Sequence, residues 1–155
     1  MSRTLTLDLP SLAATHAFAA RLARVLQVGD VVGLSGDLGA GKSEFARATI
    51  RARAGLDLDV PSPTFTLLQL YELPGLLLGH ADLYRLASAG EVLALGLDEV
   101  TRQGALLVEW PERADDLLPA EPLMLSLAEG AAPDARILQV AAPASWTARL
   151  EALCP

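Results

Sequence analysis

The residues best suited to chemistry lie between positions 36 and 43, where GDLGAGKS matches the pattern G-x-x-x-x-G-K-[ST]. Glycines in such a loop let the backbone curl so that its N–H groups point at phosphate oxygens. We expect Lys42 to reach the β- and γ-phosphates and the Ser43 hydroxyl to ligate Mg²⁺. The pattern therefore predicts an ATP-binding loop, lined by Asp37, Leu38, Gly39, Ala40, Gly41, Lys42, Ser43 and Glu44.

The composition strengthens this interpretation. The chain has twelve basic residues, and Lys42 is the only lysine among them. Arginine is too bulky and planar to replace an ammonium group inside a phosphate loop. A lysine retained at this one position makes a chance match less plausible.

A nucleotide-hydrolysing protein of this kind also needs an acidic residue at the end of a neighbouring strand. Glu109 follows an apolar run, and Asp82 lies near the end of another. Either carboxylate alone can equally be a solvated strand end. We predict that Glu109 joins Mg²⁺ directly or through one water and that Asp82 lies close by, where it can order the attacking water.

Three further positions leave alternatives open. The segment at 62–65, SPTF, is either a switch that senses the γ-phosphate or a plain proline turn, and Trp110 either packs in the core or faces a docking partner. His80 shares a strand face with Asp82, and a buried structural histidine is the favoured interpretation. Zinc is excluded, because His16 is the only other histidine.

The elements that must position these residues alternate between strands and helices. Strands are predicted at 3–9, 31–34, 64–72, 76–83, 105–109, 122–128 and 135–141, with helices at 11–27 and 42–54, from 88, from 111 and at 144–153. A tight turn joins the third and fourth strands, so the sheet should be mixed. We predict an α/β fold with a mixed sheet of about seven strands in a single domain over residues 1–155.

The charge and the cysteine count narrow the class of protein. A net charge of −7 argues against an independent RNA- or DNA-binding module. No uninterrupted apolar run is long enough to span a bilayer, and the N-terminus does not resemble a signal peptide. The single cysteine, Cys154, favours a reducing, cytoplasmic setting.

Taken together, the motifs resemble the TsaE family, also called YjeE, a group of small P-loop ATPases of bacterial tRNA threonylcarbamoyladenosine biosynthesis. The matching stretches, in the order and spacing of the family, are GDLGAGKS at 36–43, SPTFTL at 62–67, HADLYRL at 80–86, GLDE at 96–99 and VEWPE at 108–112. The loop motif alone is widespread, whereas the combination is specific.

The resemblance implies weak ATPase activity with Mg²⁺ in support of TsaD-like and TsaB-like partners, which modify adenosine 37 of certain tRNAs. It places Lys42 on the phosphates, Ser43 and Glu109 at Mg²⁺ and Asp82 in hydrolysis. Thr64 would belong to the switch-like segment and Trp110 would sit beside the site. In the family, the N-terminal helix region contacts the base of the nucleotide, and the resemblance therefore points to Thr15. Because the chain is acidic, we expect contact with tRNA only through the partners.

The chain departs from the family at two loop positions. Ser43 stands where threonine is usual, which keeps the hydroxyl, and Glu44 stands where a second threonine is frequent. The carboxylate of Glu44 adds a negative charge close to the phosphates.

The sequence can be compared with three alternative functions. A GTPase with the usual N-K-x-D element is excluded because the chain has no asparagine and no second lysine, whereas a GTPase with a variant base pocket is not excluded. A small-molecule kinase would usually carry an arginine-bearing lid, and Arg102 and Arg113 are scattered. A third alternative is a binding subunit that is controlled by the nucleotide and in which hydrolysis only sets how long the bound state lasts. This alternative is similar to the role that the family resemblance implies.

Overall fold

The computed structural model describes residues 2–114 and 116–155, and within them seven strands form one mixed sheet. The strands are β1 (Arg3–Leu9), β2 (Val31–Ser35), β3 (Leu68–Leu73), β4 (Leu76–Asp82), β5 (Gly104–Glu109), β6 (Leu123–Glu129) and β7 (Arg136–Ala142). Their order across the sheet is β1-β7-β6-β2-β5-β4-β3. The four central strands, β6, β2, β5 and β4, run parallel, whereas β1, β7 and β3 pair antiparallel with their neighbours. The predicted α/β class and mixed sheet are confirmed.

The helices begin and end at residues suited to those positions. They are α1 (Leu12–Val25), α2 (Lys42–Ala54), α3 (Ala89–Ala94), α4 (Leu97–Gln103) and α5 (Leu150–Leu153), with 3₁₀ helices at Pro111–Ala114 and Ala144–Arg149. Ser11 caps α1 by accepting the Ala14 N–H at 3.1 Å. Gly55, with a φ of 74°, ends α2 in the left-handed region that suits glycine.

Both faces of the sheet carry an apolar core. On one face α1 and α2 pack on β2 and β5, and the rings of Phe18 and Phe45 meet with centroids 5.9 Å apart. On the other face α3 and α4 cover β5 through Val92, Leu97 and Val100. Because helices cover both faces of the sheet, the side chains on both faces of the central strands are buried, and the sequences of these strands are continuously apolar.

Three parts of the structure differ from the sequence prediction. Strand β3 begins at Leu68, not at 64, because Leu67 turns the chain with a φ of 68° and its N–H bonds the Pro63 carbonyl. Helix α4 was not predicted, because only Leu95 and Gly96 separate it from the end of α3. The stretch predicted as one final helix is a 3₁₀ helix up to Arg149.

The parallel strands fix where chemistry is possible. The carboxyl ends of β2, β5 and β4 meet at one edge of the sheet, and Asp82 is the register partner of Glu109. Within the described ranges, none of the helices has the length and apolar character needed to cross a bilayer.

Candidate functional site

The loop between β2 and α2 is shaped by glycines in backbone conformations that other residues rarely adopt. Gly39 and Gly41 have φ values of 82° and 105°. A Cβ on Gly36 would lie 2.5 Å from the Leu127 carbonyl oxygen, so the loop packs closely on β6. Helix α2 starts behind Gly41 with no side-chain cap, which leaves the N–H groups of its first turn available to an anion.

Lys42 is buried and lies against the loop. Its Nζ donates to the carbonyls of Gly36 at 2.5 Å and Asp37 at 2.8 Å, and it stands 4.2 Å from the centroid of the Trp110 ring. Burial lowers the pKa of Lys42, although the carboxylates of Glu109, Glu112, Asp82 and Asp37 oppose that shift. The loop thus holds the amine at its centre, and Trp110 covers the amine from one side.

Ser43, Glu109 and His80 form a hydrogen-bonded chain across three elements. The Ser43 hydroxyl donates to Glu109 Oε1 at 2.8 Å, and His80 Nε2 lies 2.7 Å from Glu109 Oε2. Because a carboxylate only accepts, His80 donates from Nε2. Glu109 is 2% exposed and His80 is fully buried, so two donors fix the carboxylate in place.

The Asp82 carboxylate connects the end of β4 to the segment at 62–67. Its Oδ1 accepts the Tyr84 N–H at 2.9 Å, and its Oδ2 accepts the Thr64 hydroxyl at 3.3 Å. The Leu67 carbonyl accepts the Asp82 N–H at 2.9 Å. Phe65, on the same segment, is 84% exposed.

One cavity of about 430 Å³ brings most of the predicted site residues together. It joins Lys42, Ser43 and Glu44 of the loop to Thr64, Asp82, Glu109 and Trp110. A larger cavity of about 570 Å³ is lined by acidic and apolar residues, with no lysine or arginine, and is a poor site for phosphate. The smaller cavity is therefore the candidate site.

Thr15 does not line the cavity that contains the two strand-end carboxylates. It is 5% exposed, and within residues 2–114 and 116–155 its Oγ1 has no hydrogen-bond partner. A small cavity beside it is shared with Ala40, Gly41, Glu44 and Arg136. A buried hydroxyl without a partner is uncommon, and this one keeps its hydrogen-bonding capacity unused.

Glu44 occupies the first turn of α2 between these two cavities. Its Oε1 lies 2.9 Å from His16 Nε2, and its Oε2 lies 3.3 Å from a terminal nitrogen of Arg47. Burial raises the pKa of Glu44, but the hydrogen bonds from His16 and Arg47 outweigh it and hold the pKa below its ordinary value. The carboxylate is thus ionised and has a partner on each oxygen.

Two arginines of the site were missed by sequence reasoning. Arg47 lines the cavity with Asp82, and its spacing of one helical turn from Ser43 was a usable signal. Arg136, from β7, donates through Nε to the Ala40 carbonyl at 2.7 Å. No local pattern links Arg136 to the loop, because 96 residues separate the two.

The donor set at the sheet edge suits Mg²⁺. A hydroxyl and a carboxylate, Ser43 and Glu109, present oxygen atoms side by side, and oxygen is what this cation prefers. Among the described residues no group of three or more His, Cys, Asp or Glu side chains is placed to hold a metal.

Comparison with known proteins gives consistent results. The sequence profile of the family described as "Threonylcarbamoyl adenosine biosynthesis protein TsaE" matches residues 9–137. A relative from Rickettsia bellii, named "tRNA threonylcarbamoyladenosine biosynthesis protein TsaE", is 41% identical over 73% of this chain and 78% of its own length. The protein of the same name from Bacillus subtilis is 41% identical over 72% of this chain and 69% of its own length.

A solved structure shares the fold over nearly the full length. The crystal structure of Bacillus subtilis YdiB superposes with a TM-score of 0.77 and 32% identity, covering 99% of this chain and 93% of that one. The family profile spans well over half of the 155 residues, and it includes the loop, both strand-end carboxylates and Trp110. The chain therefore belongs to the TsaE family of threonylcarbamoyl adenosine biosynthesis proteins.

Proposed function

We propose that this chain is an ATP-binding, weakly hydrolysing subunit that supports the complex making threonylcarbamoyladenosine at position 37 of tRNAs. The observation that carries the proposal is the single cavity that joins Lys42 and Ser43 to two strand-end carboxylates, Asp82 and Glu109. Family membership supplies the pathway. The whole of residues 1–155 would act as one ATPase domain, and action on tRNA would place it in the cytoplasm.

In this proposal the loop binds the triphosphate. Backbone N–H groups of the loop and of the first turn of α2 donate to phosphate oxygens, and Lys42 moves from the loop carbonyls onto the β- and γ-phosphates. The residues in contact are those predicted, Asp37, Leu38, Gly39, Ala40, Gly41, Lys42, Ser43 and Glu44. Thr15 offers its unpartnered hydroxyl on the base side.

Ser43 and Glu109 are proposed to hold Mg²⁺. When bound with ATP, this ion neutralises charge on the β- and γ-phosphates. The Ser43 hydroxyl and one Glu109 oxygen are already adjacent, so little rearrangement is required of them. His80, bonded to the other oxygen, keeps the carboxylate oriented.

Asp82 is proposed to orient the water that attacks the γ-phosphate. It ends a strand adjacent to Glu109, and its carboxylate lines the same cavity. In the structure one of its oxygens accepts from Thr64 on the segment at 62–67. That segment would then act as a switch, because any shift of Thr64 changes how Asp82 is held.

The proposed partners are TsaD-like and TsaB-like proteins. The net charge of −7 leaves tRNA contact to them. Trp110 lines the nucleotide site, and the exposed Phe65 follows Thr64 of the same lining; both are proposed to face a partner. Docking there would couple assembly to hydrolysis.

Phosphate release tests this function. The rate is measured with ATP and Mg²⁺ for the protein alone, then with small acceptor molecules, then with the TsaD and TsaB homologues of the same organism. We expect a slow basal rate that only the partner proteins raise. Stimulation by a small acceptor, with phosphate transferred to it, would instead identify a kinase, and a preference for GTP would contradict the ATP assignment.

A further inference from the structure

Helix α2 carries a second cation toward the phosphate cavity. Arg47 follows Ser43 by four residues, so the two side chains share one face of the helix. Long side chains on a helix lean toward its N-terminus, which brings the Arg47 guanidinium over the first turn. Arg47 accordingly lines the cavity that contains Thr64 and Asp82.

The position of Arg47 favours one end of the triphosphate. The separate cavity beside Thr15 and Arg136 does not include Arg47 in its lining. Arg47 instead shares its cavity with Ser43 and Glu109, where the metal-bound terminal phosphates would lie. A guanidinium at that end meets the γ-phosphate before the α-phosphate.

Glu44 competes for this guanidinium. A terminal nitrogen of Arg47 lies 3.3 Å from Glu44 Oε2, and His16 Nε2 holds the other oxygen at 2.9 Å. The Arg47 and Glu44 side chains are 28% and 36% exposed. Partly exposed pairs between residues one turn apart contribute little free energy, so an anionic ligand can displace the carboxylate.

The charge balance of the cavity shows why a second cation matters. Three carboxylates, Glu44, Asp82 and Glu109, line the cavity, against which Lys42 supplies one positive charge. Arg47 is the other cation in that lining. A planar guanidinium also matches two phosphate oxygens at once, which an ammonium does not.

We propose that Arg47 is a second phosphate-binding cation of this site, that it contacts the γ-phosphate of ATP, and that Glu44, steadied by His16, competes with the nucleotide for it. This rests on the proposed binding of ATP at the loop. Glu44 then limits affinity in two ways: its charge repels phosphate and its contact withdraws a cation.

Calorimetric titration with ATP and with ADP, both with Mg²⁺, tests the proposal. Arg47→Gln removes the positive charge at nearly constant side-chain length. Arg47→Lys keeps the charge but loses the planar guanidinium that can bond two phosphate oxygens. Arg24→Gln, which removes an exposed arginine of α1, is the matched control. We expect Arg47→Gln to weaken ATP about three- to tenfold and ADP less than about twofold. The ATP affinity of Arg47→Lys should lie between those of the unaltered protein and Arg47→Gln. Arg24→Gln should leave the affinities for ATP and ADP unchanged.

A double-variant cycle tests the competition. Glu44→Gln should tighten ATP severalfold, and the gain should shrink when Arg47→Gln is already present. An equal gain in both backgrounds overturns the competition between Glu44 and ATP for Arg47.

The outcomes separate this inference from the proposed function. If the unaltered protein binds ATP but Arg47→Gln behaves like Arg24→Gln, or weakens ATP and ADP equally, the role of Arg47 at the γ-phosphate is overturned and the ATP assignment stands. If the unaltered protein does not bind ATP, both are overturned.

Discussion

The two strand-end carboxylates are held by different kinds of structure. The Glu109 region, made of Ser43, His80 and Glu109, is built from α2, β4 and β5 alone. The Asp82 region, made of Thr64 and Asp82, depends on the irregular segment at 62–67. Glu109 is fixed by helices and strands that pack against the two apolar cores. Asp82 instead accepts a hydrogen bond from Thr64, which lies in an irregular segment whose Phe65 is exposed.

This difference separates two tasks. A metal ligand needs fixed geometry, and the Glu109 region provides it through two donors on one buried carboxylate. A water-orienting group that depends on an adjustable segment gives a place where a docking protein can act. We infer that the Glu109 region would set the binding of ATP with Mg²⁺, and that the proposed slow hydrolysis and its proposed stimulation by partners would depend on the Asp82 region.

The largest effect should come from Lys42, which belongs to neither region but lines the cavity that both regions share. Lys42→Ala should reduce phosphate release to background and weaken ATP at least about tenfold, since a charge-assisted contact contributes about 1.5–3 kcal/mol. Thermal unfolding checks that the variant is folded. Unchanged affinity and rate in a folded variant would contradict the loop assignment, and with it any comparison of the two regions.

Asp82→Asn should break the Asp82 region alone. We expect the rate of phosphate release to fall about a hundredfold, as for the loss of a positioned proton-transfer group. ATP affinity should stay within about threefold, because the loop and Lys42 are untouched. Asp98→Asn, on the exposed face of α4, is the matched control. A loss of ATP affinity as large as the loss of rate would argue against separate tasks.

His80→Ala should disturb the Glu109 region by removing the hydrogen bond from His80 to the Glu109 carboxylate. Removal of its donor should raise the Mg²⁺ concentration needed for half-maximal activity about tenfold, as for other residues that orient a ligand. His80→Asn keeps an N–H group and should recover part of that loss. If neither variant alters the Mg²⁺ requirement, His80 is only a core residue.

The smallest effect is expected for Ser43→Thr. The hydroxyl is kept, so activity should stay within about threefold, whereas Ser43→Ala removes one ligand and should cost about tenfold or more. Rates measured over a range of Mg²⁺ concentrations distinguish the two. Similar losses in both variants would show that the space around Ser43, and not its oxygen, matters.

The sequence predicted those parts of the site that depend on local pattern. The glycine loop, the strand before it and the ends of β4 and β5 follow from residue type and spacing over short distances. Ser11 and Gly55 mark the ends of helices for the same reason. The family could be identified from motifs because each motif lies within one such local unit.

The remaining features depend on tertiary contacts. The bond between His80 and Glu109 requires the register of β4 on β5. The contact of Arg136 with Ala40 requires β7 to pair with β6, the strand on which the loop packs. The segment at 64–67 reads as a strand, yet Leu67 adopts a positive φ that its residue type does not favour. The Leu67 N–H donates to the Pro63 carbonyl within the segment, and the Asp82 N–H donates to the Leu67 carbonyl, which ties that turn to β4.

The measurement that tests the account most directly is ATP binding with and without Mg²⁺, compared between Glu109→Gln and Asp82→Asn. The unaltered protein should bind ATP more tightly with Mg²⁺ than with a chelator. Glu109→Gln should lose most of that difference and Asp82→Asn should retain it. Loss of the Mg²⁺ effect in Asp82→Asn with its retention in Glu109→Gln, or no ATP binding by the unaltered protein, would contradict the account.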